Sequence, residues 1–260
     1  MKIVFTYIAI FFISLFFAQS VNASHSWGGY HWARTANPFN LNLGDNVTSA
    51  WDKYLSTTSA DWSTSSVLNT AIVSGRAFTK TCRATSGRVE VCNAKYGKNG
   101  WLGVASIWIS GVHITQGVVK VNDTYFNSSY YNTPAWRNLV MCQEVGHTLG
   151  LDHQDEDFNN PSLGTCMDYS SDPTPNQHPN LHDYEELEII YAHLDSITTL
   201  TQSARLRGFF DLDIDHNNLR NLGKEIRSNL DNRTSLFERD FGGGNKVFTF
   251  VTWTGPNRGQ

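Results

Sequence analysis

Apolar positions along the chain fall into three spacings, and each predicts a different kind of element. The first is an almost unbroken run at the start, from Ile3 to Phe17, interrupted only by Thr6, Tyr7 and Ser14. Lys2 precedes it, and Val21-Asn22-Ala23 places small residues at the −3 and −1 positions of a signal-peptidase site. The run is shorter than the roughly 20 apolar residues of a membrane span, so residues 1–23 read as a signal peptide cleaved after Ala23 rather than as an anchor.

The second spacing is β-branched or alternating. It predicts strand-like pieces near His31–Thr35 and Phe39–Leu43, and strands over Val67–Val73, Trp101–Ile109 and Val112–Asn122. Leu236 to Trp253 reads as a hairpin turning at Gly242-Gly243-Gly244-Asn245. The third spacing is helical. Val47, Ala50, Trp51, Tyr54 and Leu55 predict a helix over Val47–Thr58 with Asn46 as cap. Thr133-Pro134 opens a second helix, with threonine as cap and proline in the first turn, where its missing N–H costs nothing. Trp136, Leu139, Val140, Gln143 and His147 share one broad face of it, and Gly150 ends it. Asp183 and Glu186 resemble a capping box before a third helix whose stripe is Tyr184, Leu187, Ile190, Tyr191 and Leu194. Between the last two helices, Asp155 to Asn180 is a long loop with four prolines, and loops of that length are functional or disordered.

These elements predict an α+β fold: a twisted mixed sheet, an active-site helix and a later helix in a domain over 24–200, then a C-terminal extension over 201–260. The 260 residues suit one domain with an appendage. The chain is 40% hydrophobic with 8 Trp, ample for a core, and its formal net charge of −4 comes without any basic block. Nucleic acid is therefore excluded as a partner. Cleavage after Ala23 removes Lys2 and takes the net charge to −5. No later stretch is long and apolar enough to span a membrane, so the mature chain is expected to be secreted (extracellular or periplasmic), off the membrane and monomeric.

Export changes the reading of the four cysteines, which become candidates for disulfides. Cys82 and Cys92 flank a short polar segment and would staple a hairpin. Cys142 and Cys166 bracket the Gln143–His153 stretch and would tie the second helix to the loop that follows. Three pairings are open, and this one is preferred. A four-thiol zinc site is disfavoured because no C-x-x-C pair exists.

The chemistry concentrates between Cys142 and Asp155, Cys-Gln-Glu-Val-Gly-His-Thr-Leu-Gly-Leu-Asp-His-Gln-Asp. Glu144, His147, Gly150 and His153 match the zinc-peptidase pattern H-E-x-x-H-x-x-G-x-x-H at every position but the first, where Gln143 stands. A fixed Glu-His-Gly-His spacing arises by chance on the order of once in a thousand chains of this length. On a helix Gln143 and His147 lie on one face with Glu144 beside them, and a break at Gly150 lets His153 swing back as a third ligand. Three protein ligands leave a fourth position for water, as in catalytic zinc sites. Zinc lowers that water's pKa from about 15.7 towards roughly 7, and Glu144 would take its proton and return it to the leaving amine.

About a dozen residues beyond His153 stands Cys166-Met167-Asp168-Tyr169. With this segment the chain resembles the metzincin zinc endopeptidases, matrixin- or astacin-like in their catalytic domain, which place a methionine-containing turn under the metal. Met167 and Tyr169 match the Met-x-Tyr of the astacin and serralysin branches, whose tyrosine approaches zinc and stabilises the tetrahedral intermediate. The likeness is specific from Thr133 to Tyr169, loose from Ser24 to Asn132, and silent about the rest. It implies a catalytic zinc ion, Glu144 as general base, His147 and His153 as ligands, Tyr169 as a catalytic partner, and a protein or peptide substrate.

The first ligand is not carried over. A glutamine amide oxygen lies as many bonds from Cα as an imidazole Nε2 and is also neutral, so Gln143 retains the reach and the site charge. It is a weaker donor for zinc, which prefers nitrogen and sulfur. Asp152 or Asp155 would be substitutes, though neither occupies the family's position. Three readings follow: a secreted metalloendopeptidase with a Gln143/His147/His153 site; a catalytically silent metzincin fold that binds protein or carbohydrate in the old cleft; and an exported domain of another class, held by disulfides and calcium. Asp211, Asp213 and Asp215 alternate like the start of a calcium loop, but His216 replaces the turn glycine and the twelfth position lacks glutamate. No cysteine-switch segment or long pro-region is visible, so an enzyme of this kind is expected to need no propeptide removal. The tail after Leu200 is the segment available to cover the cleft.

Overall fold

The computed structural model describes residues 24–201, 214–229 and 231–255. The segment 1–23 expected to be a signal peptide and the acidic positions Asp211 and Asp213 lie outside the described residues. In chain order the elements are β1 (His31–Trp32), β2 (Phe39–Asn46), α1 (Asp52–Trp62), β3 (Leu68–Ser74), β4 (Val89–Ala94), β5 (Trp101–Ser110), β6 (His113–Asn122), α2 (Asp123–Phe126), α3 (Pro134–Thr148), α4 (Leu181–Ile190), a 3-10 turn (Leu219–Asn221), β7 (Lys224–Ser228), β8 (Thr234–Asp240) and β9 (Asn245–Trp253). The fold is mixed α+β.

Among the described residues nine strands form one sheet, in the order β3-β2-β4-β6-β5-β9-β8-β7, with β1 pairing separately with β6. The pairs among β3, β2, β4 and β6 are parallel, and every neighbour from β6–β5 onward is antiparallel. β5 lies inside this sheet, which explains its almost unbroken apolar sequence: it is buried on both faces. Ala105, Ile107 and Ile109 join the core containing α1, α3 and α4. Trp101, Val104 and Trp108 join a second core with the Cys82 and Cys92 side chains, Val247, Val251 and Trp253.

α3 follows its predicted start and stop. The Thr133 side chain accepts from the Trp136 N–H, and Pro134 sits in the first turn. Every residue from Leu139 to Thr148 is buried, so the helix runs through the core. Its last carbonyls, which no helical N–H can reach, are capped by the aromatic-rich N-terminal segment and α4. Trp27 Nε1 donates to His147 O at 3.0 Å, Trp32 Nε1 to Thr148 O at 2.9 Å, and the Tyr191 hydroxyl to Leu149 O at 2.9 Å. Gly150 takes φ +102°, and a Cβ there would stand 2.6 Å from the Tyr30 carbonyl oxygen.

Several local expectations shift. α1 begins at Asp52, not Val47, because Asn46 is drawn into β2: it pairs with Cys92 and its amide donates to Glu90 at 2.6 Å. α4 begins at Leu181 with Asn180 and Asp183, not Asp183 and Glu186, making the capping box. Leu194, expected in its buried stripe, is exposed. Cys82 and Cys92 are bonded, as are Cys142 and Cys166. The first pair does not close a hairpin, since β4 lies parallel to both of its neighbours. The hairpin turning at Gly242–Asn245 is present as β8 and β9. Instead of standing apart, it is built into the sheet, β9 pairing with β5 from Trp101↔Trp253 to Ser110↔Asn245. No described helix is long and apolar enough to cross a membrane.

Candidate metal and catalytic site

α3 delivers Gln143, Glu144 and His147, each fully buried, and the turn at Gly150 brings His153 beside His147. The rings of His147 and His153 stand 4.7 Å apart at 88°. His147 Nδ1 lies 2.9 Å from the Leu151 carbonyl, which can only accept, so the proton sits on Nδ1 and Nε2 carries a lone pair. His153 Nδ1 faces the Glu156 carboxylate at 3.3 Å, which assigns the same tautomer. Neither Nε2 has a hydrogen-bond partner among the described residues. Burial, then the neighbouring His153 ring, holds the His147 pKa well below its ordinary value, so the ring is neutral. The His153 hydrogen bond holds Glu156 below the usual carboxylate range.

Glu144 reaches this position because β5 presents no side chain at Gly103. A Cβ there would stand 2.5 Å from both Glu144 Oε1 and Val140 Cγ1. Neither carboxylate oxygen has a hydrogen-bond partner among the described residues. Burial pushes the Glu144 carboxyl up to about 8, opposed by the nearby Thr252 hydroxyl. The same hydroxyl donates to Gln143 Oε1 at 3.0 Å. The other end of the Gln143 amide donates to Cys166 O at 3.0 Å.

The Met167 turn lies under the helix. Met167 is fully buried, its N–H is held by Thr165 Oγ1 at 3.0 Å, and its carbonyl accepts from Gln154 N at 2.7 Å. A Cβ on Gly146 would come within 2.5 Å of Met167 Sδ and 2.7 Å of Trp62 Cζ2, so the helix touches the turn through a glycine. Tyr169 is buried with its ring 6.1 Å from that of His153, and its hydroxyl donates to Arg233 O at 2.9 Å. Approach of that hydroxyl to a bound ion would require this bond to break. The two substitute ligands divide: Asp152 stands in a group of metal-type donors with His153 and Glu156, whereas Asp155 is engaged in its own loop. Asp152 pairs with Arg227 at 2.5 Å, and Asp155 accepts from Asp157 N at 2.6 Å and Asn160 Nδ2 at 2.5 Å.

β9 supplies contacts that the motif did not predict. Phe250 stacks on His147 with centroids 4.0 Å apart and planes at 8°, and Thr252 holds Gln143. The space beside His153 and Phe250 is too small to admit a water molecule. Phe250 and Thr252 alternate in the predicted strand and so share a face, but nothing local says which helix that face meets. Neither protein-family models nor the curated proteins yield a match to this chain.

Proposed function

We propose that this chain is an exported, metal-dependent endopeptidase of metzincin type, whose ion is held by His147 and His153 with Gln143 as the weak third ligand. The observation that carries the reading is the pair of adjacent, buried Nε2 lone pairs without a hydrogen-bond partner among the described residues, next to the helix turn that carries the buried Glu144 carboxyl. Each buried polar atom left without a partner costs about 1–3 kcal/mol, and native interiors rarely leave several together. Two imidazoles whose Nδ1 atoms are engaged suit zinc through Nε2, and the Gln143 oxygen retains a second lone pair beyond the one Thr252 uses. Zinc, when bound, supplies Lewis acidity and makes water a competent nucleophile near neutral pH.

The chain's own residues divide the remaining work. Leu151 and Glu156 fix the two histidine tautomers. Glu144, poised near neutrality by burial, accepts and returns a proton. The Met167 turn and the Cys142–Cys166 bond hold the helix floor. Two disulfides suit an oxidising compartment, consistent with export. The purified protein should contain stoichiometric zinc and cleave an unstructured protein substrate, and Glu144→Ala should abolish cleavage while leaving the zinc. Absence of any transition metal at this site in wild type would end the reading.

The sealed geometry favours one alternative, a catalytically silent member of the same fold. Gln143 is tied at both ends, and Phe250 lies on a ligand ring. Gln143→His separates the two readings. Activity gained where wild type has none assigns the silent fold; activity present in wild type and raised by the substitution assigns the peptidase.

A further inference from the structure

A second group of metal-type donors stands apart from that site and shares none of its residues. His31 on β1, His113 at the start of β6, and His193 and Asp195 just after α4 converge on one point. His113 Nε2 is 3.1 Å from Asp195 Oδ1, His31 Nε2 is 3.5 Å from the same oxygen, and His193 Nε2 is 3.8 Å from it. His193 Nε2 and His31 Nε2 are 3.2 Å apart. The His31 ring stands at 86° to that of His113 and at 87° to that of His193.

His31 Nδ1 faces the Gly29 carbonyl at 2.9 Å, so the proton of a neutral ring sits there and Nε2 is a bare lone pair. That lone pair points at a carboxylate oxygen and another imidazole nitrogen, a cluster of donor atoms of the kind that holds a divalent cation. Zinc bonds to nitrogen and oxygen of about 2.0–2.1 Å set tetrahedral ligand atoms about 3.3 Å apart. The four measured separations, 3.1 to 3.8 Å, bracket that edge. The carboxylate is oriented for the role. Arg34 occupies its other oxygen, donating to Oδ2 from Nη1 at 2.8 Å and from the backbone N–H at 3.2 Å, and accepts from Asp195 N at 2.9 Å. Oδ1 is left facing the three rings, the outer support that metal-bound carboxylates show.

We infer that His31, His113, His193 and Asp195 form a second zinc site, separate from the His147/His153 pair and structural in role. Three imidazoles and one carboxylate close a tetrahedron and leave no position for substrate. The ion would join β1, β6 and the segment after α4. His193 is the exposed member, its side chain 57% accessible, so the ion enters from solvent and the residue can be removed without opening the core.

The test is zinc titration of the chelator-stripped full-length protein, followed by calorimetry and thermal melting, in wild type and in His113→Ala/His193→Ala. Wild type should bind one equivalent more than the double variant, and zinc should raise the melting temperature of wild type but not of the variant through this equivalent. Cobalt substituted into wild type should add a tetrahedral visible spectrum that the variant lacks. His193→Ala alone, at an exposed position, guards against misfolding of the double variant and should weaken the same equivalent at least tenfold. Equal zinc stoichiometry in wild type and both variants, or no zinc bound by wild type, overturns the inference.

Discussion

Gln143 and Glu144 are adjacent, both fully buried, and held in opposite ways. The amide is satisfied by Thr252 and Cys166, while the carboxylate oxygens lack a full hydrogen-bond partner among the described residues. A buried acid without a partner stays protonated to high pH, and this has a measurable consequence in metal-free protein. The unfolded chain loses the Glu144 proton near the ordinary 4.5, the folded chain near 8. Between those values the folded state binds more protons, so its stability falls as pH rises through the window and levels off above it. Glu144→Gln keeps the shape without the charge. Urea titrations of chelator-treated protein at pH 5 and pH 8 should show the variant gaining on wild type across that interval, by up to about tenfold in folding equilibrium per pH unit. Parallel stability profiles would mean that Glu144 is solvated or paired in solution.

At the level of elements, α3 and the Met167 turn form one unit, joined by the Cys142–Cys166 bond and packed without a side chain at Gly146. In an isolated helix, Gly→Ala gains about 1 kcal/mol. Here the added methyl would press on Met167 Sδ and the Trp62 ring, and overpacking of a tight core costs about 1–3 kcal/mol. Gly146→Ala should therefore destabilise the protein in denaturant titrations, and Met167→Ala should cost less in that background than in wild type, a coupling that neighbours in contact show. A stabilised Gly146→Ala protein would show that the helix does not rest on this turn. α3 was legible because its signals are local: the Thr133-Pro134 start, the helical spacing and the Gly150 stop all lie within one turn of what they control. Asn46 shows the limit. It is a good cap by type, but Glu90, far along the chain, recruits it into β2. The four ligands of the second site lie on three separated segments with no spacing signature, and Phe250 gives no sign that it will lie on His147.

At the scale of the whole molecule, the decisive feature is where the last strand inserts. β9 lies between β5 and β8 and contributes to both cores: Phe248 and Phe250 to one, Val247, Val251 and Trp253 to the other. A removable lid would lie on the surface with one face solvated, whereas this strand is buried on both. Its removal would strip Phe250 from His147 and Trp253 from Trp101, and would leave the whole hydrogen-bonding edge of β5 unpaired. Exposed apolar edges of that length promote association. A chain ending at Thr201 should accordingly lack near-ultraviolet circular dichroism and elute as aggregate in gel filtration. Phe250→Ala in the full chain removes one ring while keeping the strand. It should fold, with a loss of about 3–5 kcal/mol by analogy with other buried aromatic truncations, and should accept zinc faster. A truncated chain that folds as a monomer and cleaves substrate would instead make residues after Thr201 a detachable inhibitor. The burial of β9 on both faces argues for the first outcome: access to Glu144 comes from local opening around Phe250, and the strand itself is part of what holds the site together.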